Sequence, residues 1–328
     1  MKAVTYQKSS DTFVIKDLPI PQLETEFDVV VKVYAVGLNP VDAKVNYWSG
    51  MVDNMDDDFV GGLDVSGEVI AVGAAVKGWS IGDQVLYHGN MRRHAGGFAE
   101  YALQDSRTLL KKPAVTHELA AATPCAAWTA YRALHSKLKI TDRNSLFIAG
   151  GAGGVGSFAI QLAKLAGIET IITTSSSEKH QFVKALGATH VIDYRTQNVV
   201  EEVLRISKGE GVESALDCVG GDNAAICAQV LSYEGEMVEL VDTVNPTLYP
   251  GAFLRGLSFH QFSLGSGHVN GEQGFTSITS VGMEISKLLE CGGLVVPELE
   301  VISLKGIPNA LKEIRAQRTL GKIVARVF

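Results

Sequence analysis

Ser145 to Leu165 reads SLFIAGGAGGVGSFAIQLAKL. An apolar run, Leu146-Phe147-Ile148-Ala149, meets glycines at 150, 151, 153, 154 and 156, after which Phe158, Ile160, Gln161, Leu162 and Leu165 recur at helical spacing. The pattern predicts a strand, a tight turn and a helix. Within the turn lies Gly151-x-Gly153-x-x-Gly156, the fingerprint of a dinucleotide-binding unit. Glycines there let backbone N–H groups approach a pyrophosphate without an intervening Cβ, and the positive end of the following helix faces the phosphates.

The next apolar run, Glu169 to Thr174, ends in Ser175-Ser176-Ser177-Glu178-Lys179. An NAD-specific site would place an acid about 20 residues after the glycines, to accept hydrogen bonds from the ribose 2′-hydroxyl. Here hydroxyls and a lysine stand at that spacing, which suits a 2′-phosphate, so NADP(H) is preferred over NAD(H). A serine-rich helix cap with Lys179 on a solvated face would read the same way.

A chain of 328 residues is comfortable for two domains. Its formal net charge of -7, without a basic cluster, argues against nucleic acid as a partner. Cys125, Cys218, Cys227 and Cys291 are scattered without a C-x-x-C pair, so neither a disulfide framework nor a zinc knuckle is expected. No apolar run is long enough to span a bilayer, and MKAVTYQKSS lacks the pattern of a secretory signal. The expectation is a soluble cytoplasmic protein.

Upstream of the glycine turn the text is β-rich. Short strands are expected at 1–6 and 12–16, a strong one at 28–36, and a turn opening a short helix at Asn39-Pro40-Val41-Asp42. After an acidic loop, Asp53 to Asp58, glycine-punctuated β runs suggest a small, partly open barrel. His117 to Leu134 reads as a helix or helix pair rich in alanine. Beyond the turn, strands at 169–174, 190–193, 214–217, 236–241 and 257–264 alternate with helices from Glu178, Val199 and Asp222, which predicts a doubly wound parallel sheet. A helix near Ser277 runs to Cys291. The strand-like tail segments at 300–302 and 322–327 are expected to return to the barrel.

NPVDAK at Asn39, GLDVSGEV at Gly62, GDQV at Gly82, GGFAEY at Gly96, GGAGGVG at Gly150, HVIDYR at His190 and DCVGG at Asp217 occur in that order. Together they resemble the medium-chain dehydrogenase/reductase superfamily, and are most similar to its zinc-independent quinone oxidoreductase branch. The resemblance implies an α/β fold class: a GroES-like β-barrel catalytic domain at 1–120 and 268–328, and a Rossmann NADP(H)-binding domain at 121–267. It carries Gly153, Gly154 and Val155 onto the pyrophosphate turn, and Ser175, Ser176, Lys179 and Tyr194 onto the 2′-phosphate site. Thr129 would approach the nicotinamide, Val219 the adenosine side. Val241 would end the fifth Rossmann strand, while Phe262 and Leu264 would come from the sixth. Asp193 and Asp217 read equally as ordinary strand-end residues.

Zinc-dependent relatives place a cysteine, a His-Glu pair and a further Cys or acid where this chain has Asn39, Leu63-Asp64 and Cys125. One soft ligand makes no tetrahedral site, so no metal is expected. Cys125 then reads as a small buried hydrophobe, and His88 and His94 as surface residues of a glycine-rich loop. Without a Lewis acid, an already electrophilic quinone or enone is the substrate expected from the resemblance. Asn39 either donates its amide to the substrate carbonyl or is simply the turn residue before Pro40; Asp42 closes the short helix. Tyr47 and Trp48 form an aromatic wall for a planar substrate or are ordinary core. The resemblance further implies a homodimer paired through the edge strand at 257–264. Two alternatives stay open: an NADP(H)-binding sensor with little turnover, and a zinc-type alcohol dehydrogenase.

Overall fold

Six parallel strands make up the sheet to which the glycine turn belongs. Their spatial order is His190–Asp193, Thr170–Ser175, Ser145–Ala149, Val212–Asp217, Leu231–Glu239 and Ser258–Gln261. The Ser145–Ala149 strand runs between two neighbours, and Leu146, Phe147, Ile148 and Ala149 are all buried, which is why it reads as a continuous apolar run rather than an alternating one. Helix Val199–Ile206 starts where the Asn198 side chain accepts the N–H of Glu201, and helix Asp222–Val230 follows two glycines at positive φ.

This computed structural model describes residues 1–50, 52, 55–316 and 320–328; Asp53, at the head of the expected acidic loop, lies outside them. The chain divides into two units, Met1–Trp128 with Leu264–Phe328, and Thr129–Ser263. These divisions fall at 128/129 and 263/264, beside the 120/121 and 267/268 expected from sequence. Trp128 explains the first: a Cβ on Gly282 would lie 2.7 Å from its ring, so the segment reaching Trp128 packs tightly on helix Gly271–Glu290 of the first unit.

The first unit is built on a largely antiparallel sheet, in which Leu299–Ser303 runs parallel to its neighbour Lys322–Arg326. Its order is Leu299–Ser303, Lys322–Arg326, Asp28–Leu38, Asp64–Val72, Gln84–His88 and Leu110–Lys111, with Tyr101–Asp105 also paired to Asp28–Leu38. A smaller sheet joins Thr12–Asp17, Lys2–Gln7 and Phe59–Val60. The C-terminal strand does return as expected: it pairs antiparallel with Asp28–Leu38, and Ile323 opposite Leu38 sets Lys322 beside Asn39. Val29, Val31, Val33, Val65, Val69, Val85 and Phe98 form the core beneath.

Several elements differ from the sequence reading. The helix or helix pair expected over His117 to Leu134 forms as four pieces: α-helix His117–Ala121, π-helix Pro124–Trp128, α-helix Thr129–Tyr131 and π-helix Arg132–Lys137. Pro124 has no N–H to continue an i→i−4 ladder, and Leu138 donates instead to Ala133, five residues back. The helix expected from Glu178 opens as a 3₁₀ turn, Ser177–Lys179, before α-helix His180–Leu186. The fifth strand ends at Glu239, short of Val241, and the sixth at Gln261; Leu264 starts a 3₁₀ segment, Leu264–Val269, of the first unit. Helix Gly271–Glu290 begins ahead of Ser277.

Candidate functional site

In the second unit the carboxyl ends of the strands carry the glycine turn. Gly150 has φ +81°, its N–H donates to Thr174 Oγ1 at 2.9 Å, and the N–H of Gly151 donates to the Thr174 carbonyl at 3.1 Å. A Cβ on Gly151 would lie 2.1 Å from Thr173 Oγ1, and one on Gly156 would lie 2.3 Å from the Gly150 carbonyl oxygen. Those two glycines are therefore fixed by packing, whereas Gly153 meets only the Gly150 oxygen, at 3.4 Å. Helix Gly154–Leu165 starts from Gly153, which has no side chain to cap it, so the first turn is left for an external acceptor.

At the end of the neighbouring strand, Ser175 and Ser176 are each 3% exposed. The Ser175 hydroxyl is buried without a partner. Hydrogen bonds from Ser176 and from its own N–H, with Arg195 close by, hold the Glu178 carboxyl below its ordinary range. Arg195 Nη1 donates to Glu178 at 3.2 Å, and its guanidinium stands 5.7 Å from the Tyr194 ring. A carboxylate of the chain itself thus rests among hydroxyls and a cation suited to a phosphate. Lys179 is half-buried and Tyr194 is exposed in the same region. Arg195 was missed in the sequence reading although it closes the quoted HVIDYR, because its pairing depends on the fold bringing two strand ends together.

Further along this edge, Asp217 Oδ1 accepts the N–H groups of Val219 and Gly220, and Asp242 accepts that of Gly221. Val219 and Val241 are exposed, Thr129 and Phe262 half-buried. Arg132, one helical turn after Thr129, places its guanidinium 5.0 Å from the Phe262 ring centre.

The first unit holds a buried polar cluster around Asn39. Its side-chain amide donates to Asp64 at 2.9 Å and to Asp42 at 3.1 Å, while its oxygen accepts from Lys322 Nζ at 2.5 Å. Lys322, 3% exposed, also donates to the Leu38 carbonyl at 3.2 Å and sits 4.0 Å from Asp64. Asp64 accepts the Cys125 N–H and pairs with His88 Nδ1 at 2.9 Å. Burial and the nearby Asp64 push the Asp42 carboxyl up to about 7. His88, expected at the surface, is 2% exposed, because Gln84–His88 is a sheet strand that aims it at Asp64; His94 is exposed. Cys125 is half-buried.

This donor set does not suit a divalent metal. Both amide hydrogens of Asn39 are committed, the Asp64 oxygens are shared among three donors, and an ammonium already supplies the positive charge. Among the described residues no group of three His, Cys, Asp or Glu is arranged to hold a metal ion. Trp48 is buried among Tyr6, Val45, Phe59 and Leu63, while the Tyr47 side chain is exposed. Leu264 is buried in the first unit.

Two family models match the chain: zinc-binding dehydrogenase over residues 154–247 and alcohol dehydrogenase GroES-like domain over 25–114. The chain is 34% identical to the 2-methylene-furan-3-one reductase of Solanum lycopersicum over 75% of its own length and 63% of that protein's. With the chloroplast envelope quinone oxidoreductase homolog of Arabidopsis thaliana it shares 32% identity over 70% of each chain. The solved quinone oxidoreductase of Coxiella burnetii superposes with a TM-score of 0.85 at 26% identity, covering 100% of this chain and 99% of that one. A two-domain α/β protein with this glycine turn and this GroES-like sheet is thereby defined. The chain belongs to the medium-chain dehydrogenase/reductase superfamily. It spans a little under two thirds of the tomato reductase.

Proposed function

We propose that the protein is an NADPH-dependent reductase that delivers hydride to a quinone or an α,β-unsaturated carbonyl without a metal. The observation that carries this reading is the uncapped glycine turn beside a cluster of hydroxyls and cations, in a place where an NAD-specific site would hold an acid. The substrate class is supported by relatives named as a 2-methylene-furan-3-one reductase, an NADPH-dependent alkenal/one oxidoreductase and a quinone oxidoreductase homolog.

The nicotinamide, when bound, supplies the hydride. The chain binds and orients it. N–H groups of Gly153, Gly154 and Val155 would hold the pyrophosphate at the positive end of helix Gly154–Leu165. Ser175, Ser176, Lys179 and Tyr194, with Arg195 added by the structure, would take the 2′-phosphate, displacing Glu178. Thr129, Val219, Val241, Phe262 and Leu264 stay as proposed cofactor contacts. Asn39 stays as the proposed substrate-side amide, and to offer an N–H it has to release Asp42 or Asp64. Tyr47 can present an exposed ring to a planar substrate; Trp48 backs that segment from the core.

Exposed Leu248, Phe253 and Leu254 precede the edge strand Ser258–Gln261, which supports a homodimer through that edge, to be checked by light scattering. Four free thiols are in keeping with a cytoplasmic home, and no helix among the described residues is long and apolar enough to cross a membrane. The closed hydrogen bonding of Asn39 favours a second reading, an NADP(H) sensor with little turnover.

The deciding assay follows NADPH and NADH oxidation by chelator-treated protein against quinones, enals and enones. NADPH-selective turnover is the expected result. Tight NADPH binding with no turnover of any of them would give first place to the sensor.

A further inference from the structure

The turn after the fourth parallel strand packs directly on the glycine turn. A Cβ on Gly150 would lie 2.6 Å from Val219 Cγ2, and the Cys218 N–H donates to the Ala149 carbonyl at 3.3 Å. Gly220 and Gly221, at φ +83° and +61°, carry the chain onward, and the loop after the fifth strand closes against them. A Cβ on Gly220 would lie 2.8 Å from Val241 Cγ1, and Asp242 accepts the Gly221 N–H at 2.8 Å. Val219 and Val241, two of the proposed cofactor contacts, thus sit on loops that brace one another and the glycine turn, all within the second unit.

Both loops hang from two carboxyl groups. Asp217 Oδ1 accepts the N–H of Val219 at 2.8 Å and that of Gly220 at 3.1 Å, while Glu239 Oε1 accepts that of Asp242 at 3.3 Å. Asp217 and Glu239 stand opposite one another in the ladder, buried and hydrogen-bonded to each other, and no other donor reaches Asp217 Oδ2 or Glu239 Oε2. The titratable groups that face the pair are Asp242, Cys218, Cys227 of helix Asp222–Val230, and Tyr249, and the flanking strands bring Ala149 and Gln261. None of these is a cation, so one shared proton is what relieves the repulsion. Without it the pair carries two buried negative charges, and the strand ends are pushed apart with the loops they hold.

We propose that the Asp217–Glu239 pair positions the Val219 and Val241 loops for NADP(H), and does so only while it holds one proton. Both residues are buried and act through the loops. The inference rests on the cofactor part of the reading above, NADP(H) at the glycine turn, and deepens it by making that binding proton-linked. Loss of the proton loosens the loops and also adds a charge near the phosphates, two effects of the same sign. Burial and Asp217 push Glu239 up to about 7, so affinity is full near pH 6 and falls as pH rises through 7.

The test is fluorescence titration of NADPH and of NADH into the full chain between pH 6 and 8.5, for the wild type, Glu239→Gln and Asp217→Asn, with a thermal melt of each. The wild-type Kd for both nucleotides should rise about threefold to tenfold over that range, as one added charge near the phosphates would cause. Glu239→Gln cannot take the second charge and can still donate to Asp217, so at every pH it should stay within about twofold of the wild type's Kd at pH 6. Asp217→Asn keeps an oxygen for Val219 and Gly220 and leaves one carboxyl, so it should be equally flat, and it decides the matter if the Gln variant does not fold. Calorimetry in two buffers of different ionisation heat should find that nucleotide binding at pH 7.5 takes up a larger fraction of a proton in the wild type than in either variant. A flat wild-type profile, or the same slope in wild type and variants, overturns the proposal and leaves NADP(H) binding in place. A slope for NADPH but not for NADH assigns the proton to the 2′-phosphate and overturns it as well. If neither nucleotide binds at any pH, the cofactor reading itself falls, and the positioning role with it.

Discussion

The cluster around Asn39 in the first unit and the carboxyl edge of the parallel sheet in the second bury polar groups in opposite ways. Around Asn39 nearly every donor meets an acceptor of the same unit: an amide, two aspartates, a histidine and a lysine close on one another, and only Asp42 Oδ1 is left over. Along the carboxyl edge of the parallel sheet the hydroxyl of Ser175 and Nη1 of Arg132 are buried with no partner. A closed network stabilises the fold that contains it, whereas unfilled groups raise the free energy until something binds. The contrast directs the search for a ligand to the sheet edge, and shows the Asn39 cluster held together with Lys322 as its internal cation.

The largest effect should come from opening the closed cluster. Lys322→Met leaves Asp64 buried without its cation and Asn39 Oδ1 without its donor, a loss of about 3–5 kcal/mol and on the order of 10 °C in the melting temperature of the first unit. Adding Asp64→Asn removes the stranded charge, so the double variant should lose less than the sum of the two single ones, as read by differential scanning calorimetry. A Lys322→Met protein that melts within a degree of wild type would end the description of this cluster as held together by Lys322.

A smaller effect is expected at the open edge. Glu178 occupies Ser176 and Arg195, where the 2′-phosphate is proposed to bind. Arg195→Met should lower the ratio of NADPH to NADH affinity about tenfold, a single charge-assisted contact, whereas Glu178→Ala, which removes a competing carboxylate, should raise it about threefold. Fluorescence titration with both nucleotides measures the ratio. If both substitutions move it the same way, Glu178 is part of the binding surface and not a place-holder.

The same contrast explains what was legible in sequence. The glycine turn, the strand His190–Asp193 and the helices from Val199 and Asp222 were readable because local chemistry decides them: glycine spacing, an Asn198 cap and apolar periodicity. The returning C-terminal strand was readable from its pattern, but not that Lys322 would meet Asn39, 283 residues away in the chain. His88 looked like a loop residue because nothing near it announces Asp64 as a partner on the adjacent strand. The π-helical turns on either side of Thr129–Tyr131 leave no periodic trace, so Arg132 passed as one more helix residue. Ends of strands were misjudged at Val241 and Leu264, where apolar residues continue past the last ladder bond.

A further effect is expected at Glu239, and pH exposes it. Asp217 and Glu239 are opposite one another on adjacent parallel strands, 0% and 1% exposed. Burial and the charge of Asp217 push the Glu239 carboxyl up to about 7, so one proton held between the two serves both unpartnered oxygens. The unfolded chain releases that proton near the ordinary glutamate value of about 4.3. Between there and pH 7 the folded protein binds more protons than the unfolded one, so the stability linked to this group is full at low pH and drains away as pH rises through 7. Glu239→Gln cannot ionise and can donate to Asp217. It should match the wild type near pH 4.5 and, by pH 8.5, melt a few degrees higher, about 1–2 kcal/mol. Asp42, raised for the same reason in the first unit, tilts both proteins equally, so the difference between their melting curves isolates the Asp217–Glu239 pair. Curves that stay parallel from pH 5 to 8.5 would mean that the pair ionises freely and that water reaches this part of the sheet edge.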